Sequence, residues 1–466
     1  MNKFYITTAI PYVNAKPHVG HALEFVQADT IARYHNLLGE KTTLLSGGDE
    51  NALKNVQAAE KAGQSVQDFV DENSKLFEDL AEKLNVTFDV FQKGSSQNHY
   101  NSSQELWNKC LANDDIYKKT YTGLYCVGCE TFYEIDELNE NGECFEHPGK
   151  KLDEVSEENY FFKLSRYENA IIKIIENNDI KITPESRKNE VLSFLKQGLN
   201  DISISRSNTR AKNWGVPVPN DPNQRMYVWF DALNIYRSGV ESLNIWPADV
   251  HVIGKGILRF HAVYWPAFLL SAKLALPKSL FVHGYFTVNG QKMSKTLGNV
   301  VDPLDLINTY GADALRYYLL SQIPSTEDGD FSEEKLKNAY NSDLANGLGN
   351  LVSRVSKLCE KIDQDFPESN PEIYERVRES FDELRFERCI QAIWEEISKL
   401  DHIINSTEPW NKTCNELFEI IKPIVIEIRK ISYNLLPFMP DSAQKILKHF
   451  SNKKITGIDP LFPRIK

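Results

Sequence analysis

The sequence predicts an α/β protein in which a doubly wound parallel sheet is interrupted by an insertion with a zinc knuckle and followed by a C-terminal α-helical bundle. Three observations support this prediction. Strand and helix patterns alternate over the first third of the chain, which is typical of a parallel sheet covered by helices. The alternation stops between residues 116 and 224, where three cysteines and a histidine stand in metal-binding spacing. From about residue 336 to 450, long helical periods with few strand signals indicate a bundle.

The first elements follow from local sequence patterns. Residues 4–10 form a β-rich run that a proline ends. Apolar residues recur at three- and four-residue steps over residues 21–38, which predicts a helix, and Gly39 fits the C′ position of that helix. A second short strand is predicted at residues 43–45. Another helix is predicted to begin after Ser65, whose hydroxyl can form a capping box with the acid three residues later.

Strand patterns return after the insertion, which ends in a stretch rich in Pro and Asn. They are predicted at residues 226–230, 251–254 and 280–284. The chain is therefore predicted to contain a first half of the sheet domain, an insertion, a second half and a helical domain, at residues 1–115, 116–224, 225–335 and 336–466.

The charge and cysteine content limit the possible partners and compartment. The 53 Lys and Arg residues against 65 Asp and Glu residues give a net charge of −12. This acidity argues against non-specific coating of polyanions, but RNA remains possible because a local patch decides that. Seven cysteines are an odd number at low density, which favours a reducing cytosol over a disulfide scaffold. No run of about 18 apolar residues exists, so we predict a cytoplasmic protein without membrane contact.

A histidine motif, Pro17-His18-Val19-Gly20-His21, stands at the head of the first predicted helix. A helix N-terminus offers free N–H groups and a positive dipole end to phosphate. Gly20 would let a flat ring approach the backbone, and His18 and His21 could stabilise charge that develops on the phosphates. Alone, H-x-G-H has many chance matches, and two surface or metal-site histidines are the alternative.

A lysine motif, Lys292-Met293-Ser294-Lys295-Thr296, follows a predicted glycine hinge. Lys292 and Lys295 could close over a triphosphate as mobile point charges, whereas alone such a run is usually a solvated turn. Combined with H-x-G-H about 270 residues earlier, it resembles the signature of class I aminoacyl-tRNA synthetases. A bare nucleotidylyltransferase shares H-x-G-H but would not need this length or the helical tail.

A cysteine motif lies in the insertion, as Cys126-x-x-Cys129, fourteen residues, and Cys144-x-x-His147. Two knuckles of this spacing suit one tetrahedral Zn²⁺. Because all four ligand positions are filled by protein, the metal would be structural; unligated core cysteines are the alternative. The other four cysteines have no such partners and are predicted to be buried apolar residues: Cys110, Cys359, Cys389 and Cys414.

Further blocks stand in a fixed order around these motifs: Thr8-Ala9-Ile10-Pro11-Tyr12, Pro184-Glu185-Ser186-Arg187, Leu199-Asn200-Asp201-Ile202-Ser203-Ile204-Ser205-Arg206, Tyr227-Val228-Trp229-Phe230-Asp231-Ala232, Phe260-His261, Tyr264-Trp265-Pro266-Ala267, His283-Gly284-Tyr285 and Pro437-Phe438-Met439-Pro440. In these blocks the sequence resembles the methionyl-tRNA synthetase family over essentially the whole chain. The resemblance implies a Rossmann-like catalytic domain, a connective insertion, a contact region for the tRNA stem near the lysine loop, and a helical anticodon-binding domain.

The resemblance also implies a reaction and its residues. ATP with Mg²⁺ would activate L-methionine to methionyl-adenylate, which is then transferred to the 3′ end of tRNA(Met), the initiator tRNA included. The catalytic residues would be His18, His21, Lys292 and Lys295, which with Gly20 and Ser294 bind ATP. The methionine pocket would contain Ile10, Tyr12, Asp49, Trp229, Ala232, Leu233, Tyr236 and His261, with Asp49 at the substrate ammonium group. An unbranched thioether suits such an apolar slot with aromatic edges, although plain core packing is the alternative for these aromatics.

The helical tail carries the residues that match the family's anticodon readers. Asn346, Asn350 and Arg354 are spaced four apart and would share one helix face. Their amides and guanidinium can bond to splayed bases, and Trp410 can offer a stacking face. Without the resemblance, a polar helix stripe would face solvent. No C-terminal oligonucleotide-binding extension follows, which favours a monomer.

The sequence departs from the family pattern at the second strand and near residue 256. Where relatives have G-T-D-E-H-G, this chain has Gly47-Gly48-Asp49-Glu50-Asn51-Ala52, and Gly256 replaces a carboxylate. Thr296 replaces a serine and keeps the hydroxyl. These departures motivate one rival interpretation, a non-catalytic tRNA-binding paralogue. A second rival is a class I ligase for Leu, Ile, Val or Cys, although the insertion is short for a large editing domain.

Overall fold

The computed structural model describes residues 2–126, 131–133, 135–145, 149–292 and 300–465. Its strands are β1 (Lys3–Thr7), β2 (Lys41–Gly48), β3 (Val90–Lys93), β4 (Ile116–Cys126), β5 (Thr131–Tyr133), β6 (Asp153–Phe162), β7 (Lys181–Thr183), β8 (Ile202–Ser203), β9 (Ser205–Ser207), β10 (Pro217–Val218), β11 (Asp221–Met226), β12 (Val250–Gly254), β13 (Ser279–His283), β14 (Phe286–Val288), β15 (Gln291–Lys292) and β16 (Gly329–Phe331).

Its α-helices are α1 (Val19–Leu37), α2 (Leu53–Ala62), α3 (Val66–Lys83), α4 (Gln97–Ala112), α5 (Glu168–Glu176), α6 (Glu185–Leu195), α7 (Val228–Ala232), α8 (Ile235–Ser238), α9 (Trp265–Ser271), α10 (Pro303–Tyr310), α11 (Ala312–Ser321), α12 (Glu333–Ala339), α13 (Asn350–Cys359), α14 (Glu375–Asp382), α15 (Phe386–Thr407), α16 (Cys414–Leu435) and α17 (Pro440–Phe450). Two segments are π-helical, Phe260–Tyr264 and Tyr340–Gly349.

The chain forms two compact units. The first contains Met1–Pro17, Lys41–Asp79 and Phe88–Val282. Its six-stranded sheet has the order β3-β2-β1-β12-β13-β7, and the β2–β3, β1–β2, β1–β12 and β7–β13 pairs are parallel. The strand order reverses at β1 and β12, so the crevice beyond their carboxyl ends is a topological switch point, where parallel α/β sheets bind ligands. The predicted doubly wound parallel sheet is confirmed.

The insertion forms separate antiparallel sheets inside the first unit. One sheet has the order β5-β4-β6-β8, and the other has the order β10-β11-β9. The long pairing of β4 with β6 runs from Ile116 opposite Phe162 to Tyr125 opposite Asp153. The interruption of the parallel sheet therefore has its own hydrogen-bonded framework.

The predicted strand at residues 226–230 is wrong. Strand β11 ends at Met226, and helix α7 begins at Val228. All residues of α7 are buried. A short apolar run that is buried on every side carries no period that separates a strand from a helix, so its β-branched and aromatic residues misled the prediction.

The second unit contains His18–Glu40, Leu80–Thr87 and His283–Lys466. Helix α1 ends as predicted, because Gly39 takes a left-handed conformation (φ +83°) just after it. The C-terminal part is helical, as predicted, and the Tyr34 ring on α1 stacks on Phe381 with a centroid distance of 3.7 Å. The division into four segments at residues 115, 224 and 335 stays a prediction.

Two further sequence predictions can be compared with burial and length. Three of the four remaining cysteines are buried, but the prediction for Cys414 is wrong because it is exposed. It is the first residue of α16 and follows the capping residue Thr413, a position that faces solvent. In the described ranges no helix is long and apolar enough to span a lipid bilayer.

Candidate active site

The histidine motif forms the N-terminus of α1. His18 is the N-cap residue, with extended backbone angles. Its Nδ1 accepts a hydrogen bond from the Gly20 N–H at 3.1 Å, and its own N–H donates to Nδ1 of His21 at 3.1 Å. The two rings lie 3.9 Å apart. Because both Nδ1 atoms accept, the neutral imidazoles carry their protons on Nε2, and each ring becomes a hydrogen-bond donor at that nitrogen.

The protonation of His21 follows from its surroundings. Burial, and then the neighbouring imidazole of His18, hold the pKa of His21 well below its usual value. The pair is therefore not doubly charged at neutral pH. It can donate hydrogen bonds to an anion beside the helix N-terminus, whose dipole end adds positive potential.

The lysine motif lies mostly outside the described residues. This holds for Ser294, Lys295 and the side chain of Lys292, whereas the backbone of Lys292 belongs to β15. Just beyond the motif, the Val301 carbonyl accepts a hydrogen bond of 3.2 Å from the N–H of Val19. Val301 therefore contacts the first turn of α1 within the second unit.

The aromatic residues predicted for the methionine pocket cluster around Trp229 in the first unit. The rings of Tyr12 and His261 meet the indole edge-on, both with centroid distances of 6.3 Å. Phe260 stacks on the indole at 3.7 Å. Trp229 is buried, and its Nε1–H has no hydrogen-bond partner among the described residues. Buried donors are nearly always paired, so this N–H is available to an acceptor that a ligand in the cluster would supply.

A hydrogen-bonded chain fixes the far side of this cluster. The His261 Nδ1–H donates to the Ile257 carbonyl at 2.9 Å, so Nε2 accepts from the Tyr236 hydroxyl at 2.7 Å. Burial lowers the pKa of His261 to about 4, which keeps it neutral. The Tyr236 ring packs on His251 at 4.4 Å, and burial holds the pKa of His251 well below its usual value.

The other predicted pocket residues lie in the same core. Ala232 and Leu233 are buried in the hydrophobic cluster of the first unit, and Ile10 packs against it. Asp49 forms a parallel β-bridge with Tyr12. Asp49 is buried, with only 4% of its surface exposed. The backbone of Asp49 is therefore next to Tyr12, one of the aromatic residues of the cluster.

The departures from the family pattern at the second strand have local partners. Asn51 donates through Nδ2 to Asp231 at 2.6 Å and to the Gly94 carbonyl at 2.8 Å. At Gly48, an added Cβ would lie 2.8 Å from the Ser74 hydroxyl, which donates to Glu50. The unusual residues therefore take part in a fully packed, hydrogen-bonded segment.

Two of the four predicted zinc ligands are described. The sulfur atoms of Cys126 and Cys144 lie 3.2 Å apart, and Gly142 and Gly149 take left-handed conformations beside them. Cys129 and His147 lie outside the described residues. Within the described ranges, no three His, Cys, Asp or Glu side chains are grouped to hold a metal ion.

The predicted anticodon readers are only partly brought together in the second unit. Asn346 and Asn350 line one cavity of about 320 Å³ with Arg464, whose Nε donates to the Asn346 amide oxygen at 2.8 Å. Arg354 instead donates to Asn405 on α15 at 2.8 Å. Trp410 is 47% exposed, as a stacking platform requires.

Sequence reasoning missed Phe260 and His251 as pocket neighbours. Phe260 stacks on Trp229, and His251 supports Tyr236 while its Nδ1 bonds to the Thr7 hydroxyl at 2.7 Å. His251 could have been suspected, because it is an inward-facing polar residue on a central parallel strand. Phe260 could not, because the π-helix that orients it has no signal in the sequence pattern.

Comparisons with known proteins agree with this geometry. Residues 4–356 match the family described as tRNA synthetases class I (M). Methionine–tRNA ligases of Brucella suis and Thermotoga maritima are 41% and 40% identical over 96% of this chain, covering 91% and 75% of their own lengths. A solved structure of Mycobacterium tuberculosis methionyl-tRNA synthetase with methionyl-adenylate has a TM-score of 0.92 and 36% identity, with both chains covered completely. Its apo form has a TM-score of 0.83 and 33% identity, covering 100% and 99% of the two chains.

Proposed function

The chain belongs to the class I methionyl-tRNA synthetases and acts as a methionine–tRNA ligase, and from this premise we propose which residues carry each step. The observation that carries the proposal is the buried, unpartnered Nε1–H of Trp229 inside a ring of aromatic side chains. A pocket of this kind accepts an apolar side chain and offers one donor to a polar group of the substrate.

Methionine would lie with its thioether among Tyr12, Trp229 and His261. Sulfur packs favourably against aromatic edges, and both Tyr12 and His261 meet the indole edge-on. We infer that the Trp229 Nε1–H donates to the substrate carboxylate and that Asp49 accepts from the ammonium group. Ile10, Ala232, Leu233 and Tyr236 would complete the wall.

ATP would bind at the start of α1. Here the Nε2–H groups of His18 and His21 would donate to phosphate oxygens, and Gly20 would let the nucleotide approach the backbone. Lys292, Ser294 and Lys295 would close over the triphosphate from the other motif, with Mg²⁺ as counter-ion to the phosphates. The methionine carboxylate attacks the α-phosphorus, and the histidines and lysines stabilise the charge that moves onto the departing pyrophosphate.

The tRNA would be recognised by the helical part of the second unit. Asn346, Asn350, Arg354 and Trp410 remain our candidates for the anticodon of tRNA(Met), initiator tRNA included. The Asn346 oxygen is already bonded to Arg464, so reading a base with that oxygen requires this bond to exchange. We propose a cytoplasmic monomer.

We also propose one structural Zn²⁺ held by Cys126, Cys129, Cys144 and His147. The close approach of the Cys126 and Cys144 sulfurs fits two ligands of one centre. Metal analysis of the purified chain should give one zinc per molecule, and Cys144→Ala should lose it. Cys359→Ala, at a buried cysteine outside the knuckle, is the control and should retain zinc; equal zinc in both variants would contradict the site.

Methionine-dependent ATP–pyrophosphate exchange tests the catalytic assignment. His21→Asn should lower the exchange rate by about 100-fold, because preorganised donors to developing charge are worth about this much. His35→Asn is the matched control, since His35 lies on the same helix and pairs with Glu40 at 2.6 Å. Exchange should be seen with methionine and not with Leu, Ile, Val or Cys. An H21N variant as active as H35N would contradict the role of the histidine motif.

A further inference from the structure

Lys54 stands at the end of a helix where a cation is unfavourable. It is the second residue of α2, whose first turn contains no acidic residue. Because the N-terminus of a helix is the positive end of its dipole, acidic side chains stabilise it and lysine does not. The N-cap residue, Ala52, also has no side-chain group that could bond to the first N–H groups. The position of Lys54 therefore does not follow from the requirements of the helix.

The Lys54 ammonium lies on the face of an aromatic ring of the proposed methionine pocket. Its Nζ is 3.0 Å from the centroid of the Tyr12 ring. The other lysine ammonium groups that lie over rings in the described part of the chain are 4.5 Å or farther from the ring centroids. The ring quadrupole attracts a cation on this face, and the attraction increases where water is displaced. Because Lys54 and Tyr12 are both half-buried, this contact offers the cation a favourable interaction that the helix does not.

Tyr12 is the ring of the proposed pocket that packing fixes least. Trp229, Tyr236 and His261 are buried, whereas Tyr12 is partly exposed. The backbone of Tyr12 is held by its β-bridge with Asp49, but a backbone bridge does not determine the rotamer of the side chain. A contact that fixes the Tyr12 ring therefore determines the position of one wall against which the thioether would pack.

We propose that Lys54 is a positioning residue for methionine, which holds the Tyr12 ring in the orientation that forms this wall. The inference rests on the proposed function, because that function assigns the Tyr12 ring to the side chain of the substrate. Lys54 acts through Tyr12 and does not touch the reacting atoms. Loss of the ammonium releases the ring, so methionine binds less tightly while the reaction of the bound substrates is unchanged.

Lys54→Met tests the role of the ammonium, because the new side chain keeps an apolar stem and removes the charge. In methionine-dependent ATP–pyrophosphate exchange, the KM for methionine should rise about five- to ten-fold. The kcat and the KM for ATP should stay within about two-fold of the wild type, as for a loss of uniform binding. Lys61→Met is the matched control and should behave like the wild type, since Lys61 is an exposed lysine in the last turn of the same helix. An unchanged KM for methionine in K54M would overturn the proposal.

Lys54→Arg keeps the cation, and a guanidinium also stacks on aromatic faces. The KM for methionine in K54R should therefore stay within about two-fold of the wild type, and a KM as high as that of K54M would refute the role of the charge. Urea unfolding separates binding from stability. K54M removes a cation from the positive end of α2, so its unfolding midpoint should not fall. A lower midpoint together with a lower kcat would assign Lys54 a merely structural role.

Replacing the ring tests whether Lys54 acts through it. Tyr12→Phe keeps the ring face, so K54M in that background should raise the KM for methionine as much as it does in the wild type. Tyr12→Leu removes the ring, so K54M in that background should have no further effect. Full additivity of Y12L and K54M would mean that Lys54 acts on a group other than the ring, which contradicts the proposal.

A substrate analogue distinguishes this role from a direct contact with the substrate carboxylate. Methioninol keeps the thioether and the ammonium group of methionine and has a hydroxymethyl group in place of the carboxylate. As a competitor of methionine in exchange, it should lose as much affinity in K54M as methionine does, since both use the Tyr12 ring. A loss for methionine alone would show that Lys54 binds the carboxylate and would exclude the positioning role. Absence of methionine-dependent exchange in the wild type would instead contradict the proposed function, so the two failures are distinguishable.

Discussion

Arg316→Met is expected to destabilise the second unit strongly. Arg316, on α11, is completely buried. Its Nε donates to the Phe438 carbonyl and one Nη to the Pro437 carbonyl, both at 2.9 Å. The same nitrogen pairs with Asp29 on α1 at 2.7 Å. This one guanidinium therefore fixes the helix that begins with the histidine motif to the Pro-Phe-Met-Pro segment of the bundle.

The size of the loss follows from the partners that remain. Breaking a buried ion pair by removing one member costs about 3–5 kcal/mol. Asp29 keeps Arg33 at 2.7 Å, so its charge is not left alone and the lower end, about 3 kcal/mol, is expected. Lys at position 316 keeps the charge but loses the planar fork that serves both carbonyls. Arg316→Lys should therefore cost about half as much, roughly 1.5 kcal/mol.

Urea unfolding followed by circular dichroism measures these free energies. The slope against urea should stay constant, so that a shift of the midpoint reports stability. Arg388→Met is the control, because Arg388 forms an exposed pair with Glu383 at 3.3 Å and such pairs contribute about 0–1 kcal/mol. A loss of less than about 1 kcal/mol in R316M, equal to that of R388M, would refute the reasoning about the buried pair.

Three further predictions concern the first unit. Tyr236→Phe removes the hydroxyl that donates to the buried His261 Nε2. The free energy of unfolding should therefore fall by about 1–3 kcal/mol, and the KM for methionine in exchange assays should rise. An unchanged KM would show that Tyr236 does not belong to the methionine pocket. Burial lowers the folded pKa of His261 to about 4, so the unfolded state binds more protons and stability falls as the pH drops from about 6.5 towards 4, by about 3 kcal/mol. His261→Gln should remove that acid slope in urea unfolding at several pH values, and a slope equal to that of the wild type would contradict it. Asn51→Ala removes the amide that donates to Asp231 at 2.6 Å. The free energy of unfolding in the same urea assay should fall by about 1.5–3 kcal/mol. An unchanged free energy would mean that water replaces the amide.

Local sequence patterns predicted correctly those helices and strands that a few neighbouring residues determine. Helix α1 was expected at residues 21–38 with Gly39 after it, and it spans Val19–Leu37 with Gly39 in the left-handed region. The Ser65 hydroxyl accepts from the Asp68 N–H at 3.1 Å, which is one half of the expected capping box, and it donates to the Asp68 carboxylate at 2.6 Å. The parallel sheet followed from the order of strands and helices, because parallel strands need helical crossovers.

The parts that the sequence did not predict depend on tertiary packing. The run at residues 226–230 is apolar on every side, so it offered no period, and the core selected a helix from Val228. Two π-helical segments, Phe260–Tyr264 and Tyr340–Gly349, change the residues per turn. Ser353 lines the cavity with Asn346 and Asn350, whereas Arg354 bonds to Asn405.

The start of α1 joins a requirement of the helix to the role that we propose for the histidine motif. A helix N-terminus has unpaired N–H groups, and Ser, Thr, Asp or Asn usually satisfies them. Here His18 and His21 do so through Nδ1, and because an imidazole has a second nitrogen, the same bonds fix the proton on Nε2. A capping Ser or Asp would satisfy the backbone but would provide no second, oriented donor. Histidine as the cap therefore holds both rings in the tautomer that offers an Nε2–H donor beside the helix N-terminus.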